Sequence, residues 1–231
     1  MKSVIKKFIQ KEFFQRKFAK LYASMYPSSE LYWELRYSGN GTSGAGSYGR
    51  LALFKANIIE HFLESNDISR VIEWGCGDGN QISLIDYPEY VGLDVSPTAI
   101  GLCKERFAND DTKSFFLYNP NSFIDNLGLF NCRLSISLDV IYHLTEDEIY
   151  AKYMHDLFGS SDEFVIIYSS NDNDMQDTAD HVKHRSHREF VENELDKWEL
   201  IEKIENEYSY DPRNPNETSQ SDFYIYRKSD C

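Results

Sequence analysis

The sequence has few cysteines and no long hydrophobic run, and both shortages exclude classes of protein. Its four cysteines, Cys76, Cys103, Cys132 and Cys231, form no Cys-x-x-Cys pair, which argues against a zinc site and a disulfide framework. No apolar run approaches the roughly 20 residues of a membrane-spanning helix, and the basic N-terminus lacks the apolar core of a signal peptide. We therefore expect reduced thiols, no bound metal and a cytoplasmic protein.

Positive charge is also scarce. The 231 residues contain 24 Lys and Arg against 38 Asp and Glu, a net charge of −14, which argues against a nucleic acid bound through its phosphates. The exception is residues 1–20, which carry seven basic residues and one acid. Apolar and basic residues alternate at helical spacing over residues 4–21, which predicts an amphipathic helix in an N-terminal unit of residues 1–30. We expect its apolar face to pack on the domain or on a second subunit of a homodimer; peripheral attachment of the helix to an anionic membrane is the alternative.

A glycine-rich turn follows the first predicted strand. A short apolar run ends at Ile72, and Gly75, Gly77 and Gly79 follow at alternate positions. A strand that stops in such a turn leaves backbone N–H groups unpaired and lets a ligand approach the backbone. Glu73 lies at the carboxyl end of this strand, where open α/β sheets bind their ligands.

A second carboxylate follows at the spacing of one strand–helix–strand unit. Residues 90–96 are predicted as the next strand, with Asp94 at its tip, 21 positions after Glu73. A carboxylate at this place can accept hydrogen bonds from both hydroxyls of a ribose. The glycine turn and Asp94 together therefore predict a nucleoside-bearing ligand.

The spacing of the glycines bears on which nucleoside is bound. Dinucleotide sites usually carry Gly-x-Gly-x-x-Gly, whereas this turn is Gly-x-Gly-x-Gly preceded by an acid. Glu73 would repel a pyrophosphate but suits a cationic partner, such as the amino group of a methionine moiety. The pattern resembles the S-adenosylmethionine (SAM) site of class I methyltransferases; an NAD-linked oxidoreductase and a structural glycine turn are the alternatives.

Residues 31–50 join an aromatic and charged stretch to a run with five glycines. The segment opens onto a predicted helix whose apolar stripe includes Leu51 and Phe62. We interpret it as a lid over the cofactor, with Tyr32 and Arg36 as cofactor-binding residues and Arg36 paired with a carboxylate. A disordered glycine loop is the alternative.

The remaining elements follow from apolar runs and capping signals. Ser96-Pro97 predicts the start of one helix, and Thr145 with Glu148 predicts a capping box at the start of another. Five further strands are predicted, at residues 114–118, 134–138, 164–168, 198–201 and 223–226.

The end of the fourth strand carries chemistry-bearing side chains. Asp139, Tyr142 and His143 would face the reactive end of the cofactor, with Tyr142 contacting the acceptor. A hydroxyl acceptor needs a base, and histidine titrates nearest to neutral pH. His143 is the first candidate for that base and His184 the second; for His143, a histidine that caps a helix or packs in the core is the alternative.

Residues 169–188 form a long polar segment with little core pattern. Long loops of this kind in compact domains are usually functional. Three histidines recur every third residue, which would place them on one side of a helix. A metal site with the nearby aspartates and a solvated run of charges are the alternatives to acceptor binding. The predicted acceptor-binding residues of the segment are Arg185, His187 and Arg188.

Three stretches of the chain resemble class I SAM-dependent methyltransferases. They are Glu73–Gly79, Gly92–Ser96 and Leu138–His143. More narrowly, the chain resembles small methyltransferases found with bacterial surface-polysaccharide biosynthesis genes. The segments that carry this narrower resemblance are Tyr32–Tyr37, Ser43–Gly49, His181–Arg185 and Ser221–Tyr226.

The resemblance implies an α/β fold for residues 31–231 as a single domain. The expected architecture is a Rossmann-like, seven-stranded, mostly parallel sheet with helices on both faces and an N-terminal helical and glycine-loop lid. The resemblance places the glycines of the turn against SAM, Asp94 on its ribose and Asp139 near its methionine part.

The resemblance also implies a reaction. Methyltransferases of nucleobase amines carry two prolines after the fourth strand, whereas this chain has Asp139-Val140-Ile141-Tyr142, so amino methylation of DNA is not expected. The implied reaction is O-methylation of a sugar or of a phosphorylated small precursor in cell-surface glycan assembly. A non-catalytic SAM-binding scaffold remains as a further alternative.

Overall fold

The computed structural model describes residues 28–176 and 179–229, so the predicted amphipathic helix of residues 4–21 lies outside it. The described α-helices are α1 (Ser29–Ser38), α2 (Gly49–Ser65), α3 (Pro97–Arg106), α4 (Asp147–Gly159) and α5 (His187–Glu194). The described strands are β1 (Val71–Trp74), β2 (Tyr90–Asp94), β3 (Lys113–Leu117), β4 (Cys132–Leu138), β5 (Ser161–Ser169), β6 (Trp198–Ile204) and β7 (Asp222–Lys228).

All seven strands belong to one sheet, in the order β3-β2-β1-β4-β5-β7-β6. Strands β1 to β5 run parallel, and β7 is antiparallel to both β5 and β6. Each strand that the sequence predicts is confirmed, as is the seven-stranded, mostly parallel sheet. Dinucleotide-binding sheets are ordered 3-2-1-4-5-6, so the antiparallel β7 between β5 and β6 separates this fold from that of the NAD-linked alternative.

Helices cover both faces of the sheet because successive strand residues point to opposite sides. Val71 belongs to the same apolar cluster as Ile59 of α2 and Ile100 of α3, whereas Ile72 belongs to the cluster of Met154 in α4 and Val191 in α5. Burying an aliphatic side chain of this size contributes about 1.5–3 kcal/mol, so the two clusters hold the helices against the sheet. Across the described ranges, no helix meets the length and hydropathy that crossing a membrane requires.

The start of α4 differs from the prediction. The prediction of a capping box at Thr145 and Glu148 is wrong, because the N-cap residue is Glu146 and its side chain makes no capping hydrogen bond. The Glu146 carboxylate instead accepts a hydrogen bond of 2.8 Å from the backbone N–H of Ser29. This contact ties the start of α1 to the start of α4.

The three late histidines do not share one side of a helix, the arrangement that their spacing would give on a helix. Helix α5 begins only at His187, and the described residues before it, including His181 and His184, are non-helical. The Ser186 side chain accepts a hydrogen bond from the backbone N–H of Glu189 and so caps the N-terminus of α5. The three histidines therefore point to different parts of the structure.

Candidate functional site

A cavity lies at the carboxyl ends of β1, β2 and β4, where open α/β sheets bind ligands. Its volume, counted to the open mouth, is about 1040 Å³. Both carboxylates that the glycine motif singled out, Glu73 and Asp94, line it. The other predicted residues in its wall are Gly75, Gly77, Asp139 and His143.

The turn after β1 requires glycine at the positions that face the cavity. Gly75 has a φ of +85°, and a Cβ there would lie 2.4 Å from Cγ2 of Val140. Gly77 has a φ of +57°, and its Cβ would lie 2.4 Å from Oγ of Ser43. At both positions a side chain is therefore excluded by the positive φ and by the short distance to the neighbouring atom. Gly79 does not line the cavity and packs against the end of α3.

Glu73 is buried in the wall of this cavity, with 2% of its surface exposed. Its Oε2 accepts a hydrogen bond of 2.7 Å from the Tyr90 hydroxyl. Burial raises the pKa of Glu73 to about 7, although the Tyr90 bond and the Lys55 charge act in the opposite direction. A cationic ligand group beside Glu73 would favour its carboxylate form.

Asp94 is buried beside the glycine turn. Its Oδ2 accepts the N–H of Gly77 and its Oδ1 accepts the N–H of Ser96, each at 2.9 Å. Burial raises the pKa of Asp94 to about 6, and the two backbone bonds oppose that rise. Each carboxylate oxygen offers about two lone pairs, so both oxygens can still accept a ligand hydroxyl.

The glycine-rich segment between α1 and α2 is anchored on the turn by Asp78. The Asp78 Oδ2 accepts hydrogen bonds from the Ser43 N–H at 2.9 Å and from the Tyr48 hydroxyl at 2.8 Å. The Asp78 N–H returns a bond to Ser43 Oγ at 3.0 Å. Ser43 and Tyr37 both line the cavity, so the segment forms part of its roof, as a lid would.

Arg36 and Tyr32 hold the lid rather than face the cavity. The Arg36 Nε donates to the carbonyl of Thr42 at 2.6 Å, and an Nη donates to the Tyr32 hydroxyl at 3.2 Å. The guanidinium also lies 5.2 Å from the ring centroid of Trp33. Neither Arg36 nor Tyr32 lines the cavity, so the structure does not bring these two predicted residues to a cofactor there.

His143 lines the cavity with a defined tautomer. Its Nδ1 lies 3.0 Å from the carbonyl oxygen of His181, and because a carbonyl only accepts, Nδ1 carries the hydrogen and Nε2 keeps a lone pair. The ring packs edge-on against Trp33, with centroids 4.9 Å apart. Burial lowers the pKa of His143 to about 3, and the carbonyl bond acts against that decrease. The ring is therefore neutral at physiological pH.

Asp139 is held at the cavity wall by a buried cation that sequence reasoning missed. Lys55 donates from Nζ to Asp139 Oδ2 at 2.6 Å, and its side chain is fully buried. The Tyr142 hydroxyl donates to Asp139 Oδ1 at 2.9 Å. A signal for Lys55 existed, because it lies four residues after Leu51 and seven before Phe62, on the apolar stripe of α2. Other wall residues outside the predicted set include Trp33, Tyr37 and Gln81.

The two predicted anion-binding arginines are engaged elsewhere. Arg185 pairs with Asp147 at 2.7 Å and donates to the carbonyl of Leu144 at 2.7 Å, which ties its loop to the start of α4. Arg188 pairs with Glu192 on the exposed side of α5. Neither lines the cavity, so the structure does not bring a guanidinium clamp to it.

The late histidines are dispersed. His187 is fully buried and hydrogen-bonds the Tyr226 hydroxyl at 2.9 Å, and burial lowers its pKa to about 3. His184 lies in the wall of a second cavity, together with Tyr142. Within residues 28–176 and 179–229, no three His, Cys, Asp or Glu side chains group in a way that could hold a metal ion.

The strand order and the site at the carboxyl ends of β1 and β2 define a class I methyltransferase fold. No family model matches the sequence, and no curated protein matches it. Solved methyltransferase structures do match. The methyltransferase domain of bacterial CtHen1-C aligns with a TM-score of 0.59 and 17% identity over 77% of this chain and 98% of that one.

Two further neighbours have the same fold. The N-methyltransferase NodS from Bradyrhizobium japonicum WM9 aligns with a TM-score of 0.59 and 14% identity, over 78% of this chain and 96% of NodS. Magnesium protoporphyrin IX methyltransferase (ChlM) from Synechocystis PCC 6803, crystallised with SAM, aligns at 0.57 with 15% identity, over 91% of this chain and 97% of that one. Their names point to different acceptors, so the shared fold leaves the acceptor of this protein to be argued from its own residues.

Proposed function

We propose that this protein is a SAM-dependent methyltransferase. The observation that carries the proposal is the position of Glu73 and Asp94 in one cavity, on either side of the glycine turn. Gln81 adds a third hydrogen-bond acceptor there, because its Oε1 has no hydrogen-bond partner among the described residues. Three hydrogen-bond acceptors suit a ligand that carries an ammonium group and ribose hydroxyls.

The charges in the wall favour SAM over a dinucleotide. Among the described residues, the only Lys or Arg side chain in the wall is Lys55, and Asp139 already pairs with it. A pyrophosphate would therefore face two buried carboxylates without an available cation, at a high cost in desolvation. A sulfonium nucleoside with an amino group would face carboxylates of the opposite charge.

SAM would supply a methyl group whose bond to the sulfonium breaks, with the electron pair left on sulfur, as the acceptor oxygen bonds to the methyl carbon. This chain would contribute alignment and exclusion of water. Trp33 and Tyr37 roof the cavity, and Val140 packs against the turn below it. The acceptor would thus meet the methyl group in an enclosed space.

We assign His143 as the base for a hydroxyl acceptor. Its Nε2 lone pair would accept the hydroxyl proton, while the bond from Nδ1 to the His181 carbonyl fixes the ring. A buried, weakly basic imidazole suffices because the acceptor oxygen becomes strongly acidic as it gains the methyl group. The neutral ring also avoids placing a second positive charge beside a sulfonium.

The proposed acceptor is a hydroxyl of a sugar or of a phosphorylated small precursor used in cell-surface polysaccharide assembly. The segments His181–Arg185 and Ser221–Tyr226 support it through the resemblance described above, and the net charge of −14 argues against nucleic acid. A cytoplasmic location, contact of residues 1–20 with a membrane, and a homodimer are further parts of this proposal.

The proposal is tested by incubating the purified protein with SAM and a panel of sugars, sugar phosphates and sugar nucleotides. Mass spectrometry should detect S-adenosylhomocysteine (SAH) and an O-methylated product in equal amounts. SAM binding without turnover on any acceptor would favour the non-catalytic scaffold. Reduction of NAD by a hydroxyl substrate, without SAM binding, would favour the oxidoreductase.

A further inference from the structure

A second cavity lies on the other side of Asp139 from the first. It is bounded by the lid, the residues after β4, the loop before α5 and the connection from β6 to β7. Its volume, including the open space at its mouth, is about 630 Å³. Residues from each boundary include Gly46, Tyr142, His184 and Gln220.

Asp139 lines both cavities, which adjoin at this residue. Lys55 binds its Oδ2 from the side of the first cavity. Tyr142 and Ser221 donate to its Oδ1, at 2.9 and 3.3 Å, from the side of the second. Asp139 also has a φ of +60°, an uncommon conformation for a residue other than glycine that is often found at functional sites. A ring in the second cavity that extends a hydroxyl past Asp139 would therefore reach a ligand in the first cavity, where His143 lies.

The described lining of the second cavity contains no lysine or arginine that could bind an anion. None of its described residues is Lys or Arg, and its one acid, Asp139, is paired with Lys55. Arg185 and Arg188 are bound to acids elsewhere. A phosphate or carboxylate buried here would lose its hydration without a counter-ion, so the cavity suits a neutral ligand.

The lining instead offers neutral hydrogen-bonding groups and one aromatic surface. The Gln220 amide makes no side-chain hydrogen bond to any described residue, which leaves two donors and an acceptor for a ligand. The Tyr210 ring is 43% exposed, and it pairs with no other ring in the described part of the chain. An aromatic face beside neutral polar groups matches a ring with hydroxyls at its edge and C–H groups on its face. The hydroxyl-bearing residues of the lining are Tyr142, Ser170, Tyr210, Thr218, Ser219 and Ser221.

We propose that the second cavity binds the acceptor as a neutral sugar ring, with Tyr210 and Gln220 as its recognition residues. This inference rests on the proposed function, because a sugar in the second cavity would be a methyl acceptor only if SAM binds in the first. The proposed acceptor is thereby restricted to an uncharged sugar ring. Recognition of that ring requires no arginine that binds a phosphate.

The test is saturation-transfer NMR with methyl glucoside, galactoside and mannoside against glucose 1-phosphate and glucose 6-phosphate, with and without SAH. We expect at least one neutral glycoside to bind. The two sugar phosphates should bind no more tightly than that glycoside. Tyr210→Ala and Gln220→Ala should each weaken glycoside binding by about tenfold. Phe116→Ala removes an equally exposed ring, at 44%, outside both cavities and should leave binding unchanged.

The outcomes separate this inference from the proposed function. The inference is overturned if no neutral glycoside binds, if the phosphates bind more tightly, or if Tyr210→Ala binds as well as the wild type. SAH binding is measured on the same samples by calorimetry and should be equal in all four proteins. Glycoside binding without SAH binding would instead overturn the SAM-dependent function and leave a sugar site.

Discussion

Lys55 Nζ lies 2.6 Å from Asp139 Oδ2, and this ion pair joins helix α2 to the residue that follows β4. The side chain of Lys55 is fully buried and that of Asp139 is 11% exposed. Removing one partner of a buried pair leaves the other charge uncompensated, which is far more costly than losing a surface pair. The pair therefore holds the wall that both cavities share.

Lys55→Met should lower the free energy of unfolding by about 3–5 kcal/mol, because the Asp139 carboxylate would remain buried without its cation. Lys203→Met is the matched control, since Lys203 pairs with Asp222 at 2.9 Å with 42% of its side chain exposed, and should cost less than about 1 kcal/mol. Urea denaturation of both variants measures the difference. Equal losses would contradict a structural role for the pair.

Gly77→Ala should abolish SAH binding and destabilise the protein. Alanine at a φ of +57° is strained by about 1–2 kcal/mol, and its Cβ would meet Ser43 Oγ at 2.4 Å and displace the lid. Gly101→Ala is the control, because no atom lies within 4 Å of a Cβ on this helical glycine, and should be neutral or stabilising by up to about 1 kcal/mol. SAH binding is measured by calorimetry. Binding of SAH to Gly77→Ala with wild-type affinity would contradict the close contact between Gly77 and Ser43 of the lid.

Glu73 should make the ligand-free protein less stable as the pH rises. Its pKa of about 7 in the folded state exceeds the roughly 4.3 of an unfolded chain, so the folded state keeps a proton that the unfolded state releases. The resulting stabilisation is complete below about pH 4 and is lost as the pH rises through 7, on the order of 3 kcal/mol. Urea denaturation at pH 5 and pH 8 should show this fall in the wild type relative to Glu73→Gln; parallel profiles would argue against it.

His143→Asn should lower turnover by about 10²–10⁴-fold and leave SAH affinity nearly unchanged. The asparagine amide can still donate to the His181 carbonyl, as Nδ1 does now at 3.0 Å, but offers no basic nitrogen. His155→Ala changes an exposed histidine outside the cavity and should behave as the wild type. Steady-state kinetics on the acceptor found in the panel measure both, and wild-type turnover in His143→Asn would remove the base role.

The sheet and the paired carboxylates were predictable because both follow from short-range patterns. Each buried strand is an apolar run that ends at a turn, and residues at the carboxyl ends of neighbouring parallel strands share one edge. Glu73 and Asp94 line the same cavity for that reason, since β1 pairs with β2 in parallel.

The partners of the polar side chains were not predictable from spacing. Arg36 donates to a carbonyl six residues away, and Arg185 pairs with Asp147 of α4; loop conformation sets both contacts and leaves no periodic trace. Lys55 was missed because its partner, Asp139, lies 84 positions later in the chain. His187 is buried against Tyr226 only because α5 begins at that residue.

The identity of the ligand in the first cavity is tested most directly by calorimetry with SAH and with NAD. We predict that SAH binds with a stoichiometry of one and that NAD gives no heat. Glu73→Gln and Asp94→Asn should each weaken SAH binding by about 10- to 100-fold, since each removes a charged hydrogen-bond acceptor. Absence of SAH binding in the folded wild type, or tight NAD binding that survives both substitutions, would contradict the assignment.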